Sequence, residues 1–110
     1  MKINKKDAYT LVSIENETIE ELAKNLTNNH LDLNKDHLII DISEKINTNI
    51  KEILLFLNIN NQHQELGTSF VLIANSENID EIPEELNVVP TLIEAQDILE
   101  MEAIERDLGF

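Results

Sequence analysis

Residues 88–109 read VVPTLIEAQDILEMEAIERDLG, which is the pattern of a strand, a stop and a capped helix in succession. The two opening valines favour a strand, and Pro90 ends it because proline cannot donate a hydrogen bond to a β-ladder. Thr91 and Glu94, three residues apart, fit a capping box. The spacing therefore predicts a helix over 92–108, closed by the glycine that follows it.

Segments upstream of this stretch repeat the alternation of strands and helices. Two apolar runs, at 38–42, where Asp41 is the one acid, and at 69–74, are typical of strands buried on both faces of a sheet. A second capping box at 18–21 precedes apolar residues at helical spacing. The same spacing recurs over 50–66 and predicts one deeply packed helix there.

Together these elements predict a single α/β domain over residues 1–110. Strands joined by helical crossovers pair in parallel. Two short strands, at 2–4 and 8–14, are expected to form a hairpin instead, so the predicted sheet is mixed. One helical turn at most, near Pro83, is expected between the last two strands. The predicted core includes Ile39, Ile40, Ile53, Leu54, Leu57, Val71, Ile73, Leu92, Ala95 and Leu99.

The charge balance argues against two classes of partner. The chain has 22 acidic and 8 basic residues, for a net charge of −14. Binding to nucleic acid depends on lysine and arginine displacing counterions from phosphates, and anionic membranes need the same residues. We therefore expect neither a nucleic acid nor a membrane partner. The acidity indicates either a solvated surface or an acidic docking face for a basic protein.

The chain contains no cysteine, which excludes disulfides, thiol catalysis and thiolate metal sites. Small secreted domains often depend on disulfides, so their absence favours the cytoplasm. Residues 1–10 lack the apolar segment of a signal peptide. The longest nearly apolar stretch, 53–57, is far too short to span a bilayer. These features predict a cytoplasmic protein.

No catalytic constellation is recognisable in the sequence. Phosphate-binding loops need several glycines at defined spacing, and this chain has two isolated ones. The three histidines, His30, His37 and His63, are scattered, and we interpret them as surface residues rather than metal ligands. No serine lies on a glycine elbow of the kind that presents a nucleophile. The sequence therefore predicts no enzyme, no metal and no cofactor.

Asp41 is the one carboxylate in a position that needs a separate interpretation. It lies at the carboxyl end of a central strand, where α/β folds place ligands and acceptors. The structural interpretation is a side chain that accepts backbone N–H groups of the following turn. The alternative is a phospho-acceptor or a small enzyme site, for which Glu15 and Glu17 would supply further acids. A receiver-like site also needs a late lysine, and none follows Lys51.

Two strings carry a resemblance to a known family. LIIDISEKINTNIKEILLFL at 38–57 resembles the central strand, loop and helix of STAS domains, the fold of anti-sigma-factor antagonists. VVPTLIEAQDIL at 88–99 resembles the family's last strand and helix. The resemblance implies a mixed sheet with helices mainly on one face. It also implies a non-enzymatic regulatory module whose partner is an anti-sigma factor or a kinase.

The same resemblance implies a partner-binding loop that consists of Asn47, Thr48, Asn49 and Ile50. Asn47 takes the place of the family's aspartate, and Asn49 takes the place of its phosphorylated serine. Asparagine cannot accept phosphate, so the usual serine switch is predicted to be absent. Thr48 is the only hydroxyl left in this loop and is the candidate phospho-acceptor.

The whole chain also resembles short bacterial proteins that are often labelled ribonuclease Z. That nuclease uses a His-x-His-x-Asp-His zinc cluster, which this sequence lacks. The resemblance therefore leaves an alternative function, in which the chain is an orphan accessory domain that acts on a neighbouring nuclease.

The last helix has an apolar stripe formed by Ile98, Met101, Ile104 and Leu108. A second stripe, which includes Leu92, Ala95 and Leu99, lies beside it. One interpretation is a single wide stripe that is buried in the monomer, as is normal for a helix facing a core. The other interpretation is that the second stripe packs on the sheet. The first stripe would then be an interface, either for a homodimer or for docking another protein.

Overall fold

A computed structural model of the protein describes residues 1–29, 36–46, 48–76 and 79–109. In these residues the strands are β1 (Lys2–Lys5), β2 (Thr10–Ser13), β3 (Leu38–Asp41), β4 (Phe70–Ile73) and β5 (Asn87–Val89). The helices are α1 (Ile19–Asn29), α2 (Ile50–Leu54), α3 (Leu57–Leu66) and α4 (Leu92–Asp107). A short 3₁₀ helix, Ile79–Glu81, lies between β4 and β5.

The described strands form one sheet in the order β1-β2-β3-β4-β5. β1 and β2 pair antiparallel, and the other neighbours pair in parallel. The register places Val12 opposite Ile40, and Ile40 opposite Leu72. β3 is therefore the middle strand, which explains the apolar run Leu38–Ile40 that precedes Asp41. The mixed sheet and its opening hairpin confirm the predicted α/β architecture.

One face of the sheet packs against α1, α2 and α3. Val12, Ile40 and Leu72 form a row of this face and are fully buried. Leu22 of α1 and Phe56, which follows α2, belong to the same cluster. Fully burying a side chain of this size contributes about 1.5–3 kcal/mol. This cluster is therefore the main apolar core.

The opposite face of the sheet is covered by α4. Strand residues alternate between the two faces, so the neighbours of the first row point here. Ile39, Val71 and Ile73 are buried in this second cluster, together with Ala95 of α4. The helices in the described part of the chain thus lie mainly on one face, which confirms the prediction.

The predicted single helix over 50–66 is broken in the structure. The N–H groups of Leu55 and Phe56 donate to carbonyls three residues earlier, at 3.3 and 3.1 Å, which tightens the turn as in a 3₁₀ helix. The break directs Phe56 into the core and leaves Leu54 39% exposed. The prediction of Leu54 as a core residue is therefore wrong. Three other predicted core residues are only half-buried: Leu57, Leu92 and Leu99.

The connection from β4 to β5 is shorter and less helical than the other crossovers. After the 3₁₀ helix, the carbonyl of Pro83 accepts the N–H of Leu86 at 3.1 Å and closes one turn. This turn places Leu86, which is buried, against the main core. Among the described residues, no helix combines the length and apolar character that crossing a membrane requires.

Candidate functional site

The carboxyl ends of β2, β3 and β4 meet at one edge of the sheet, where α/β folds commonly place their sites. The loop from β3 to α2, residues 42–49, lies at this edge, and we call it the β3–α2 loop. Its Asn47 lies outside the described residues, so the structure does not address the prediction for that position.

Asp41 organises the start of the β3–α2 loop. Its Oδ1 accepts the backbone N–H of Ser43 at 2.9 Å and the Ser43 hydroxyl at 2.6 Å. Asn75 donates its side-chain N–H to the carbonyl of Ser43 at 3.0 Å. These bonds are those of the structural interpretation, in which the carboxylate holds a turn. A role of Asp41 as a phospho-acceptor stays a prediction.

The two acids proposed to assist Asp41 are engaged with the chain's own amino group. The Met1 ammonium lies 2.5 Å from an oxygen of Glu17 and 3.1 Å from an oxygen of Glu15. The hydrogen bond from this ammonium lowers the pKa of Glu17 below its usual value. The same contact raises the pKa of the Met1 amine. In the described part of the chain, no group of three potential metal ligands comes together.

Thr48, the candidate phospho-acceptor, is turned into the protein. The residue is only 3% exposed, and its hydroxyl donates to the carbonyl of Lys45 at 3.4 Å. A kinase must reach the hydroxyl oxygen from solvent. In this conformation the Thr48 hydroxyl is not accessible to a kinase.

Asn49 is the N-cap of α2. Its side-chain oxygen accepts the N–H of Glu52 at 2.9 Å, and its own N–H donates to the Glu52 carboxylate at 3.1 Å. The pair is a complete capping box. The sequence signal for this cap is an asparagine with a glutamate three residues later, a pattern that the family resemblance alone does not reveal. Ile50 follows as the first residue of α2 and is half-buried.

Among the described residues of the loop, Ile46 is an exposed hydrophobic residue. Its side chain is 82% exposed, the largest exposure among the large hydrophobic residues described. A cavity of about 410 Å³ lies beside it, with Glu44 and Glu52 among its lining residues. The predicted partner-binding residues, 47–50, do not include Ile46. The sequence gives no signal for it, because isolated hydrophobic residues are normal on protein surfaces.

The apolar stripe of α4 is divided between core and solvent. Ile98 is half-buried and packs against the second cluster. Met101, Ile104 and Leu108 are 59%, 58% and 66% exposed. The interpretation of one wide, wholly buried stripe is therefore wrong. Only the first half of α4 lies tightly on the sheet, where Ala95 is its buried residue.

The histidines differ from the predicted surface positions. His63 is fully buried, with Nδ1 2.7 Å from the Thr68 hydroxyl and its ring against Phe70. It is buried because the end of α3 packs on the start of β4, so the surface prediction is wrong for this residue. His37 is half-buried. His30 lies outside the described residues.

Comparisons with known proteins bear on the fold. No protein-family model matches the chain, and no curated protein matches it in sequence. Among solved structures, the chain is similar to one described as the molecular architecture of the stressosome, a signal integration and transduction hub. The TM-score is 0.63 at 21% sequence identity, over 93% of this chain and 98% of that chain. The likeness supports a STAS-like fold for nearly the whole chain.

Proposed function

We propose that this protein is a non-enzymatic regulatory module of the cytoplasm, which binds a partner protein through the β3–α2 loop. The observation that carries the proposal is the exposure of Ile46 at the edge where the parallel strands end. The carboxyl ends of parallel strands are where α/β folds place their ligands, so an exposed hydrophobic side chain there is a candidate contact residue. The structural likeness to a signalling assembly supports a regulatory role.

The surroundings of Ile46 indicate the chemistry of the partner. Two acids, Glu44 and Glu52, and one base, Lys45, line the adjacent cavity, and the chain carries a net charge of −14. A partner surface with an apolar pocket and a basic rim is complementary to this arrangement. The identity of that partner stays a prediction: an anti-sigma factor, a kinase or a neighbouring ribonuclease Z.

The proposed module works without the family's serine switch. Asn49, at the position of the acceptor serine, is engaged as a helix cap. Thr48, the remaining hydroxyl, is buried. Control of binding through this loop would therefore depend on the partner or on another site, rather than on phosphate added to the loop.

A comparison of two glutamate variants tests the proposal. Purified wild-type protein, Ile46→Glu and Ile104→Glu serve as baits in lysate of the native organism, and captured proteins are quantified by mass spectrometry. The variants add the same charge at exposed isoleucines on different surfaces. We expect one or more proteins to be captured by the wild type and by Ile104→Glu. Capture by Ile46→Glu should fall about tenfold or more, as for a central contact residue.

Two results would contradict this proposal. Equal capture by all three baits would show that the β3–α2 loop is not the contact surface. Loss with Ile104→Glu alone would place the partner on α4 instead. Thermal unfolding of each bait ensures that both variants are folded.

A further inference from the structure

The largest cavity among those described lies at the opposite edge of the sheet, away from the β3–α2 loop. It has a volume of about 660 Å³, which is within the range of small-molecule sites. The turn between β1 and β2, the residue before β3 and the second half of α4 line it, and it is open to solvent. Its lining residues are Asp7, Ala8, Tyr9, His37, Gln96, Leu99, Glu100, Ala103 and Arg106.

Tyr9 is arranged to donate a hydrogen bond. The side-chain N–H of Gln96 donates to the Tyr9 hydroxyl oxygen at 2.9 Å. A phenol both accepts and donates, so its hydrogen is left for a second partner. No acceptor for it is found among the described residues.

His37 is arranged in the same way. Its Nδ1 accepts the backbone N–H of Ser69 at 2.9 Å, so the neutral ring carries its hydrogen on Nε2. Burial, with a further contribution from the positive charge of Arg106, lowers the pKa of His37. The ring therefore remains neutral at physiological pH and offers Nε2–H as its donor.

Arg106 adds a third donor and the positive charge. One of its N–H groups donates to the hydroxyl of Ser69 at 3.2 Å, so Ser69 holds both His37 and Arg106. A guanidinium has five N–H donors. In the part of the chain that the structure describes, no carboxylate lies within ion-pair distance of Arg106. This is notable because the chain has 22 acids and this is its only arginine.

We propose that this cavity binds a small organic monoanion, namely a carboxylate with an apolar body. Tyr9, His37 and Arg106 each offer a hydrogen-bond donor. The Tyr9 oxygen and the His37 Nδ1 already accept hydrogen bonds within the protein, and a guanidinium has no acceptor. An anion accepts from all three without leaving a buried lone pair unsatisfied. Leu99 and Ala103 supply the apolar wall for the rest of the ligand.

The surrounding charges define which anions fit. A second cavity of about 330 Å³ shares Tyr9 and His37, and Lys5 and Lys6 line it. Three of the chain's eight basic residues therefore border the two cavities. The acids that border them select against anions of higher charge by repulsion. These acids are Asp7, Asp36 and Glu100.

Titration of the full chain with three probes tests the proposal. The probes are benzoate, the neutral isostere benzamide and inorganic phosphate, at constant ionic strength. The readout is the shift of the Leu99 and Ala103 methyl signals in NMR spectra. We expect saturable binding of benzoate, binding of benzamide that is about tenfold weaker or less, and no comparable response to phosphate.

Variants locate the site. Arg106→Gln should weaken benzoate binding by about tenfold or more, the loss of one charge-assisted hydrogen bond. Tyr9→Phe keeps the ring and removes only the hydroxyl, and should weaken binding several-fold. Lys51→Gln makes the same charge change as Arg106→Gln on α2, far from the cavity, and should leave binding unchanged.

The proposal is overturned by any of three results. The first is the absence of saturable shifts with benzoate. The second is equal binding of benzamide or phosphate. The third is equal binding by Arg106→Gln and the wild type. Because this cavity and the β3–α2 loop lie at opposite edges, these outcomes are independent of partner binding at Ile46.

Discussion

At the scale of single residues, local hydrogen bonds engage polar side chains that the sequence suggests are free to bind a partner. Asn49 and Thr48 look like a polar loop that is open to a partner. Their polar groups are instead used by the turn and by the start of α2. Ile46 has no polar side-chain group to pair, and it is 82% exposed. The partner contact proposed for this loop therefore rests on Ile46.

His37 leads to a prediction about pH. Burial and the charge of Arg106 lower its pKa below the ordinary 6.5, while Glu102 and Asp36 act in the opposite direction. The folded state thus binds fewer protons at His37 than the unfolded state near and below pH 6.5. The resulting stabilisation of the folded protein is fully present above pH 6.5. It is lost as the pH falls through the pKa that His37 has in the folded state.

We therefore expect the free energy of unfolding to fall as the pH decreases below about 6.5, measured with urea at several pH values. In His37→Asn, the amide oxygen can accept the Ser69 N–H without titrating. This variant should show a smaller loss over the same pH range. Both proteins keep all the other titratable groups, so any difference in pH dependence belongs to His37. An identical pH dependence would contradict a lowered pKa of His37.

At the scale of elements, α2 shows how a short helix is held in place. It has only five residues, too few to be stable alone. The capping box satisfies its first N–H groups, and Ile53 anchors it in the main core. The β3–α2 loop therefore owes its position to Asn49 at one end and to Asp41 at the other.

Removal of the cap tests this account. Asn49→Ala should lower the free energy of unfolding by about 1 kcal/mol, the usual cost of losing an N-cap side chain. Asn25→Ala is the matched control, because Asn25 lies exposed inside α1. There alanine is the better helix former, so stability should stay the same or rise slightly. Equal effects of the two changes in urea unfolding would show that the cap does not stabilise α2.

At the scale of the whole molecule, the strands and most helix starts could be predicted because their signals are local. Apolar runs and capping boxes are recognised from residues that lie close together in the sequence. The exposure of Leu54 could not be predicted, since it depends on how Phe56 packs against the sheet. The cavity at Tyr9 could not be predicted from the sequence either. Its donors come from segments far apart in the chain, and no sequence spacing joins them.

The exposed stripe on α4 favours self-association of the chain, whereas the net charge of −14 opposes it. Apolar contact between two copies through Met101, Ile104 and Leu108 would be favourable, while like-charged chains repel. Salt weakens the repulsion, since the Debye length falls to about 3 Å at 1 M, and leaves the apolar contact intact. We expect sedimentation to show a monomer at low salt and a dimer at about 1 M salt and high protein concentration.

The double variant Met101→Glu with Ile104→Glu should remain monomeric under both conditions. Because both side chains are largely exposed, its free energy of unfolding should lie within about 0.5 kcal/mol per site of the wild type. Leu99→Glu, half-buried on the same helix, should destabilise the monomer by more. Unfolding of the double variant would show that the stripe is part of the core. An intact chain that stays monomeric at high salt would contradict self-association through this stripe, since the repulsion that opposes it would by then be screened.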